Sequence, residues 1–558
     1  MNKGYFTFVL HSHLPYVISH GSWPHGMDWL NEAAAETYIP LIECFRSVGT
    51  GSEPLGVTLG VTPILAEQLA DERFKSSFVD YLDNKIAAAA GNKVEFERIG
   101  DGHKAYLAGF WDKFYRKARD MFTGELDGDL IGALRGLQDQ GKIEIITCAA
   151  THGYLPLLSR DECVKAQLAL GVSSYRRHFG VDPVGTWLPE CAYRPAYDWV
   201  SPIADEGYGP AKPVRRMGVE QVLNKVGLKY FIVDSHLLTG GRAIGVYLDR
   251  FEALKKLWKQ FEGSYKERPE DEEYTPYLPY LAGDPGHQDP VAFFTRDPKT
   301  GLQVWSGEHG YPGDGMYLDF HKKHFPGGHR YWRVTSSDAD LADKQEYQPD
   351  RVPRIVGDQG RHYVDLIESL AGEYHAESDR AGMVTAPYDT ELFGHWWFEG
   401  PEWLSEVLKG LHASETVEGC SCGRFIEKYP PATVVGLPEG SWGEGGFHYI
   451  WLNDWNKWTW KHIYQAEEKM CEVALGLSRG GGGDGSESLH RVACQLGREL
   501  LLLESSDWQF LISTWSARDY AEARVVKHWD NFERLARMFD SIESESRAPD
   551  ADWQFLEL

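Results

Sequence analysis

Carboxyl and imidazole groups recur at one kind of place in this chain, the end of a short apolar run. His11, His13, His152, Glu190, Asp234, His236, Glu308, His309 and Asp389 all fall there. Such residues support two chemistries. An HxH pair with later histidines and a late aspartate can hold one or two metal ions that activate water, as in amidohydrolases. His11 and His13 alternate along a strand, however, and share a face only if the strand bends or ends between them. Glycoside cleavage instead needs two carboxyl groups flanking the scissile bond and no metal. Glu190, in "TWLPECAYRP" (186–195), and Asp389 are the candidates. Asp389 opens "DTELFGHWWFEGPEWL" (389–404), a carboxylate followed by dense aromatics. A sugar site has use for flat apolar faces; a metal site has little.

Groups so distributed must be carried by many strands. Seven runs read as strands: 5–13, 54–63, 142–153, 184–190, 229–236, 302–310 and 383–391. Their near-continuous apolar character suits parallel strands covered on both faces. Helical patterns lie between them, as in 161–177 and 359–375. Reactive groups at the ends of so many strands indicate a barrel rather than an open sheet, which gathers its site at one switch point. No GxGxxG or P-loop follows the first strand. The fold class is therefore α/β, a seven-stranded parallel (β/α) barrel. Residues 1–403 form the barrel, with a helical insertion at about 64–140, and 263–290 read as a long Pro- and acid-rich loop. From about 404 the strands stop, and 404–558 form an all-helical domain with helices over 457–477, 486–504 and 516–542 and a flexible link at 479–485.

Composition narrows the partners. Lys and Arg number 57 against 83 Asp and Glu, a net charge of −26, which disfavours nucleic acid and anionic membranes. Eight cysteines make no disulfide scaffold, and the one close pair, Cys420 and Cys422, has no second pair to complete a zinc site. No apolar run reaches transmembrane length, and "MNKGYFTFVLHSH" does not read as a signal peptide, so the cytoplasm is expected. Twenty Trp and 28 Tyr exceed what a core alone needs. In "EGSWGEGGFH" (439–448) glycines surround Trp442; the segment reads either as a lid that stacks on sugar or as an interdomain turn whose Trp packs.

"HSHLPY" (11–16), "THGYLP" (151–156), "WLPECAY" (187–193), "APYDTELFGHWWFEGP" (386–401) and "SSDWQFLI" (505–512) resemble, in order, the five motifs of glycoside hydrolase family 57. Within it, "HGSWPHGMDWLNEA" (20–33), "VWSGEHGYPGDG" (304–315) and "GSWGEGGFHYIWLNDWNKW" (440–458) resemble the 1,4-α-glucan branching enzymes. The resemblance implies a seven-stranded barrel with a helical C-terminal domain, retention of configuration, no cofactor or metal, and an α-glucan such as amylose, amylopectin or glycogen as substrate, for a monomer or homo-oligomer. It implies Glu190 as nucleophile and Asp389 as acid/base. His11, His13 and His152 then line the sugar subsite at the cleaved bond. Arg296, Gly313, Trp442 and Asp507 match substrate-binding positions, and Trp23, Trp305 and Trp451 match aromatics that matter for activity. A family 57 α-amylase or 4-α-glucanotransferase would use the same carboxylates, and the amidohydrolase is the alternative of another class.

Overall fold

The computed structural model describes residues 3–49, 51, 53–240, 251–261, 273–283, 290–306, 310–479, 486–545 and 548–557. Seven parallel strands form the frame: β1 (Gly4–Ser12), β2 (Val57–Val61), β3 (Glu144–Ile146), β4 (Gly185–Thr186), β5 (Tyr230–Val233), β6 (Val291–Thr295) and β7 (Gly382–Asp389). They pair in parallel as β7–β1–β2–β3 and as β4–β5–β6. A parallel bridge between Thr147 and Thr186 joins the two sets at one seam. At the other, the Asp297 N–H donates to the Thr385 carbonyl at 2.9 Å, and the barrel closes. Every residue of β1, β2, β5 and β6 is buried, as expected for strands covered by helices outside and side chains within.

The sixth strand is not where its apolar run suggested. Residues 302–305 belong to a helix, Pro298–Trp305, and the strand is "VAFFT" at 291–295. The helix-start signals were present: Pro298 stands at the first helical position, and the Asp297 carboxylate caps the helix by accepting from Thr300 N–H at 2.7 Å. Glu308 and His309, expected at that strand's end, lie outside the described residues, as do most of the 263–290 loop and all but Arg479 of the 479–485 link.

In chain order, the helices that matter below are α1 (Pro63–Ala70), α2 (Glu72–Ile99), α3 (Gly102–Asp120), α4 (Leu130–Asp139), α5 (Asp161–Phe179), α6 (Pro298–Trp305), α7 (Val352–Ser378), α8 (Gly400–Ala413), α9 (Lys457–Arg479), α10 (Ser486–Leu503), α11 (Asp507–Thr514) and α12 (Arg518–Glu545). Helices α1 to α4 are the insertion between β2 and β3. Three of them are started by aspartates, Asp71, Asp101 and Asp129, whose side chains accept from Arg73, Lys104 and Gly132 N–H groups. Helix α2 stops at Gly100, which takes the left-handed conformation at φ 79°.

Strands do not stop near 404. Val417–Gly419 adds to β1 beside Gly4–Phe6, and Val434–Val435 pairs with a short strand, Tyr280–Ala282, that lies antiparallel to β6. These late strands are two or three residues long, too short for a period-two pattern to declare itself. The all-helical part begins only with α9. Among the described residues, no helix is long and apolar enough to cross a membrane.

Candidate active site

Strand β4 delivers its carboxylate on a strained turn. After Thr186 the chain passes through Trp187 and Leu188 into a single 3-10 turn, Pro189–Cys191, in which Glu190 has φ 60° and Cys191 φ 47°. Left-handed backbone at a side-chain-bearing residue costs about 1–3 kcal/mol and persists only where the surroundings impose it. Here the Cys191 N–H donates to Leu188 O (2.8 Å) and the Trp442 N–H to Glu190 O (3.1 Å). Tyr193 and Gly440 exchange backbone hydrogen bonds at 2.8 and 3.0 Å. The turn is thus pinned to the Gly-rich loop.

Both oxygens of the Glu190 carboxylate receive a donor. The Trp442 indole N–H donates to Oε2 at 2.9 Å, and the Ser506 hydroxyl to Oε1 at 3.1 Å. Burial pushes the Glu190 pKa up to about 8; the Trp442 bond works against this, and the charge of Asp389 adds to it. The two carboxyls are thus near enough to repel one another. Repelling carboxyls in a poorly hydrated site hold a proton between them at neutral pH. The two donors favour the charged form of Glu190 and burial the protonated one, and burial prevails. Glu190 keeps 12% of its side chain exposed, and Asp389 is likewise half-buried at the end of β7. Both open on the barrel mouth.

The ladder fixes what stands beside Asp389: in the β1–β7 register it lies level with His11. On its other side His11 faces Gly60 of β2, where an added Cβ would come within 3.3 Å of the His11 Nδ1. The strand ends at Ser12, so His13 leaves the pleat and joins His11 on the same side. Their rings meet that of His152, itself at φ 61°, with centroids 5.0 Å (His11–His152) and 3.9 Å (His13–His152) apart. Trp187 lies flat against His11 at 4.7 Å.

Hydrogen bonds knit these imidazoles. His11 Nε2 and His152 Nε2 are 2.9 Å apart, His152 Nδ1 pairs with Ser506 Oγ at 2.8 Å, and His13 pairs with Thr62 Oγ1 at 3.1 Å and with Asp507 at 2.9 Å. Burial lowers the pKa of His11 and of His152 well below the usual value, and neighbouring imidazoles lower both further. Both rings are therefore neutral donor–acceptors at neutral pH. Burial would raise the Asp507 carboxyl, but His13 beside it more than reverses this and the pKa is lowered. The same groups lie close enough to grip an ion, as His13, His152 and Asp507 or as His11, Cys148 and His152. An ion there would have to break the bonds just described, since only His11 Nδ1 is unpartnered among the ring nitrogens of His11, His13 and His152.

Other expected residues sit elsewhere. Arg296, directly after β6, is 1% exposed and ion-paired with Asp234 from the end of β5. Burial opposes the Asp234 charge, but the Arg296 guanidinium holds its carboxyl below the usual carboxylate range. Trp305 is core, tilted against Tyr388 at 6.0 Å. Trp451 is core as well, stacked on Tyr154 at 4.6 Å. Gly313 lies on an exposed turn. Trp23 is 70% exposed, edge-on to Phe325, which is 60% exposed; among the described residues no hydrogen bond or ring contact joins it to Glu190, Asp389 or the three histidines.

Trp442 departs from the lid expectation. It is 4% exposed, edge-on to Trp187 at 5.1 Å with its N–H on Glu190, so it is a fixed wall rather than a stacking platform. Glycines 440 and 443 serve close approach: an added Cβ would meet Leu237 at 2.5 Å or Trp451 at 2.7 Å. Cys420 and Cys422 are buried free thiols. The sequence reading missed Ser506 and Glu391. Glu391, beside Asp389, accepts from Tyr38 OH (2.6 Å) and His13 N–H (3.1 Å). A Ser or Glu has many possible partners in sequence; only assembly chooses one.

A seven-stranded barrel with two carboxyls, neutral imidazoles and a wall contributed by residues 505–507 is a site suited to sugar chemistry. The profile of glycosyl hydrolase family 57 matches residues 7–438, and the chain belongs to that family. The profile of the 1,4-alpha-glucan branching enzyme C-terminal domain matches residues 462–555. The chain is 44% identical over 535 residues to a 1,4-alpha-glucan branching enzyme of Thermococcus kodakarensis, covering 96% of this chain and 73% of that protein. The crystal structure of that branching enzyme with glucose superposes at a TM-score of 0.85 with 41% identity, over 100% of this chain and 94% of the other. The branching enzyme of Pyrococcus horikoshii gives 0.84 and 37%, over 100% and 94%. An α-amylase of Thermotoga maritima, AmyC, gives 0.78 and 28%, over 100% and 96%.

Proposed function

We infer that the chain is a 1,4-α-glucan branching enzyme. It cleaves an α-1,4 glucan with retention and transfers the segment to a glucan 6-hydroxyl, forming an α-1,6 branch. The observation that carries this reading is the match of residues 462–555 to the branching-enzyme C-terminal domain, which also reaches the catalytic wall. Ser506 donates to Glu190 and Asp507 holds His13, and both lie within the stretch that matches the branching-enzyme C-terminal profile.

In this reading Glu190 attacks C1 of the glucosyl unit while Asp389, protonated, gives its proton to the departing 4-oxygen. The C1–O4 bond breaks as the C1–Oε bond forms, and configuration inverts once. Retaining sites hold the two carboxyl groups about 5–5.5 Å apart. Glycosylation removes the Glu190 charge, and with it the repulsion on Asp389, which then accepts the proton of the incoming 6-hydroxyl as the second inversion occurs. His11 and His152 bind sugar hydroxyls as neutral partners, with His13 beside them. Trp442 and Trp187 present apolar wall to the intermediate and limit the entry of water. Amylose, amylopectin or glycogen is the proposed glucan, and the cytoplasm the proposed compartment. The test is incubation with amylose, then a debranching digest and a count of new reducing ends. Ends released by the digest in excess of those formed by the enzyme itself support branching. Reducing ends formed by the enzyme, with none released by the digest, point to an amylase.

A further inference from the structure

A second cluster of reactive side chains lies away from the barrel mouth, where α5 meets the C-terminal helices. Cys163 is the third residue of α5, Glu467 and Cys471 stand four apart on one face of α9, and Glu504 follows the last turn of α10. The Cys163 thiol and one oxygen each from Glu467 and Glu504 all lie within 4.8 Å of one another, and Cys471, one helical turn beyond Glu467 on α9, interacts electrostatically with all three. Glu467 and Glu504 are both 0% exposed.

Burial raises the pKa of both carboxyls, that of Glu467 to about 8, so each keeps its proton unless a cation takes its place. Glu467 is partly served: Ser159 donates its N–H to both oxygens, at 3.1 and 2.9 Å, and its hydroxyl to one. Glu504 Oε2 accepts from Gln167 at 2.7 Å, but among the described residues no donor reaches Oε1. Two guanidiniums act on the cluster and both have partners outside it: Arg216 is committed to Asp161 (2.7 Å) and the Leu158 carbonyl (2.9 Å), and Arg160 reaches Glu468 at 3.4 Å. Among the described residues the cluster thus offers an unpartnered, fully buried carboxyl oxygen beside two thiols, with the nearby cations held by other carboxylates.

We propose that Cys163, Cys471, Glu467 and Glu504 form a structural site for one divalent borderline-soft cation of the Zn(II) class. Two thiolate and two carboxylate donors give the four-coordinate set that such ions take, with the same net charge as an all-cysteine zinc site. Binding releases the thiol protons, and any carboxyl proton, to solvent. The ion ties barrel helix α5 to α9 and α10, the helices that bring residues 505–507 up to the catalytic wall.

The test uses the reduced, metal-free, full-length protein, loaded separately with Zn(II) and Co(II). The site binds about one ion per chain, and the Co(II) form shows a thiolate-to-cobalt charge-transfer band with tetrahedral d–d bands. Cys163→Ser and Cys471→Ser each weaken binding by more than the about 10–100-fold lost with an outer-shell partner. Glu190→Gln leaves binding intact. At free Zn(II) about a hundredfold above its Kd the folding equilibrium shifts about a hundredfold toward the native state, read as a higher Tm. If a serine variant fails to fold, Cys148→Ser decides: the sulfur signature survives it for an ion at this site and is lost for an ion held by His11, Cys148 and His152, which would overturn the proposal. Three other results overturn the proposal: no ion bound by the reduced protein; an ion bound without thiolate ligation, which would place it among His13, His152 and Asp507; or a Cys163–Cys471 disulfide in the protein as isolated, found by non-reducing peptide mapping.

Discussion

Replacing Trp442 by Phe removes a single group from the active site, the indole N–H that donates to Glu190 Oε2 at 2.9 Å. The phenyl ring keeps most of the edge-on packing against Trp187, so the change is electrostatic more than steric. A hydrogen bond to a charged group is worth about 1.5–3 kcal/mol, and one pKa unit corresponds to about 1.36 kcal/mol. The Glu190 pKa, already pushed up to about 8 by burial, should therefore rise by about 1–2 further units. The nucleophile acts ionised, so the acidic limb of kcat/KM against pH moves to higher pH by that amount. At fixed neutral pH the rate falls about 10–100-fold, and part of it returns as the medium is made alkaline. The assay is kcat/KM across pH with an activated glucosyl donor, whose leaving group needs no acid and so isolates Glu190. An equal loss at every pH, with the limb unmoved, would refute the electrostatic role and leave Trp442 as packing alone.

Glu190→Gln abolishes activity but should raise stability at alkaline pH. Because the folded pKa lies above the unfolded one, the native state binds more protons than the unfolded state between about 4.5 and 8, and stability falls with rising pH across that window; the variant lacks that loss, so Tm of variant and wild type should diverge by several degrees toward pH 8 and converge near pH 4. With the activated donor, Asp389→Ala accumulates a covalent adduct that peptide mapping places on Glu190, and an adduct on any other residue reverses the role assignment. Trp442→Ala, unlike the Phe variant, opens a void beside the intermediate: branches formed per reducing end should fall, and Tm should fall too, since truncating a buried Trp costs about 3–5 kcal/mol. Chelator added to the assay well below Tm leaves turnover unchanged, because no step uses an ion; an immediate loss restored by Zn(II) or Mn(II) would favour the metal-hydrolase reading of the histidines.

What the sequence determined was whatever follows from near neighbours along the chain. Apolar runs such as "YFTFVL" state a buried parallel strand, because both faces must be covered for so little polarity to be tolerated. Aspartates 71, 101 and 129 announce their helices, since a cap acts within three residues. Carboxylates at strand ends pointed to Glu190 and Asp389 because a barrel gathers such ends on one face. Where two short apolar runs competed, 291–295 and 302–305, the local cap at Asp297–Pro298 held the answer. Tertiary structure decided the rest. Burial of Trp442, Trp305 and Trp451, against the exposure of Trp23, turns on which surfaces meet, and a tryptophan carries no mark of that. The left-handed turn at Glu190 is imposed by Gly440 and Trp442, some 250 residues away in sequence. The state of each titratable group follows the same rule: His11 and His152 are held neutral, and Glu190 is raised, by burial and by neighbours that only folding brings together.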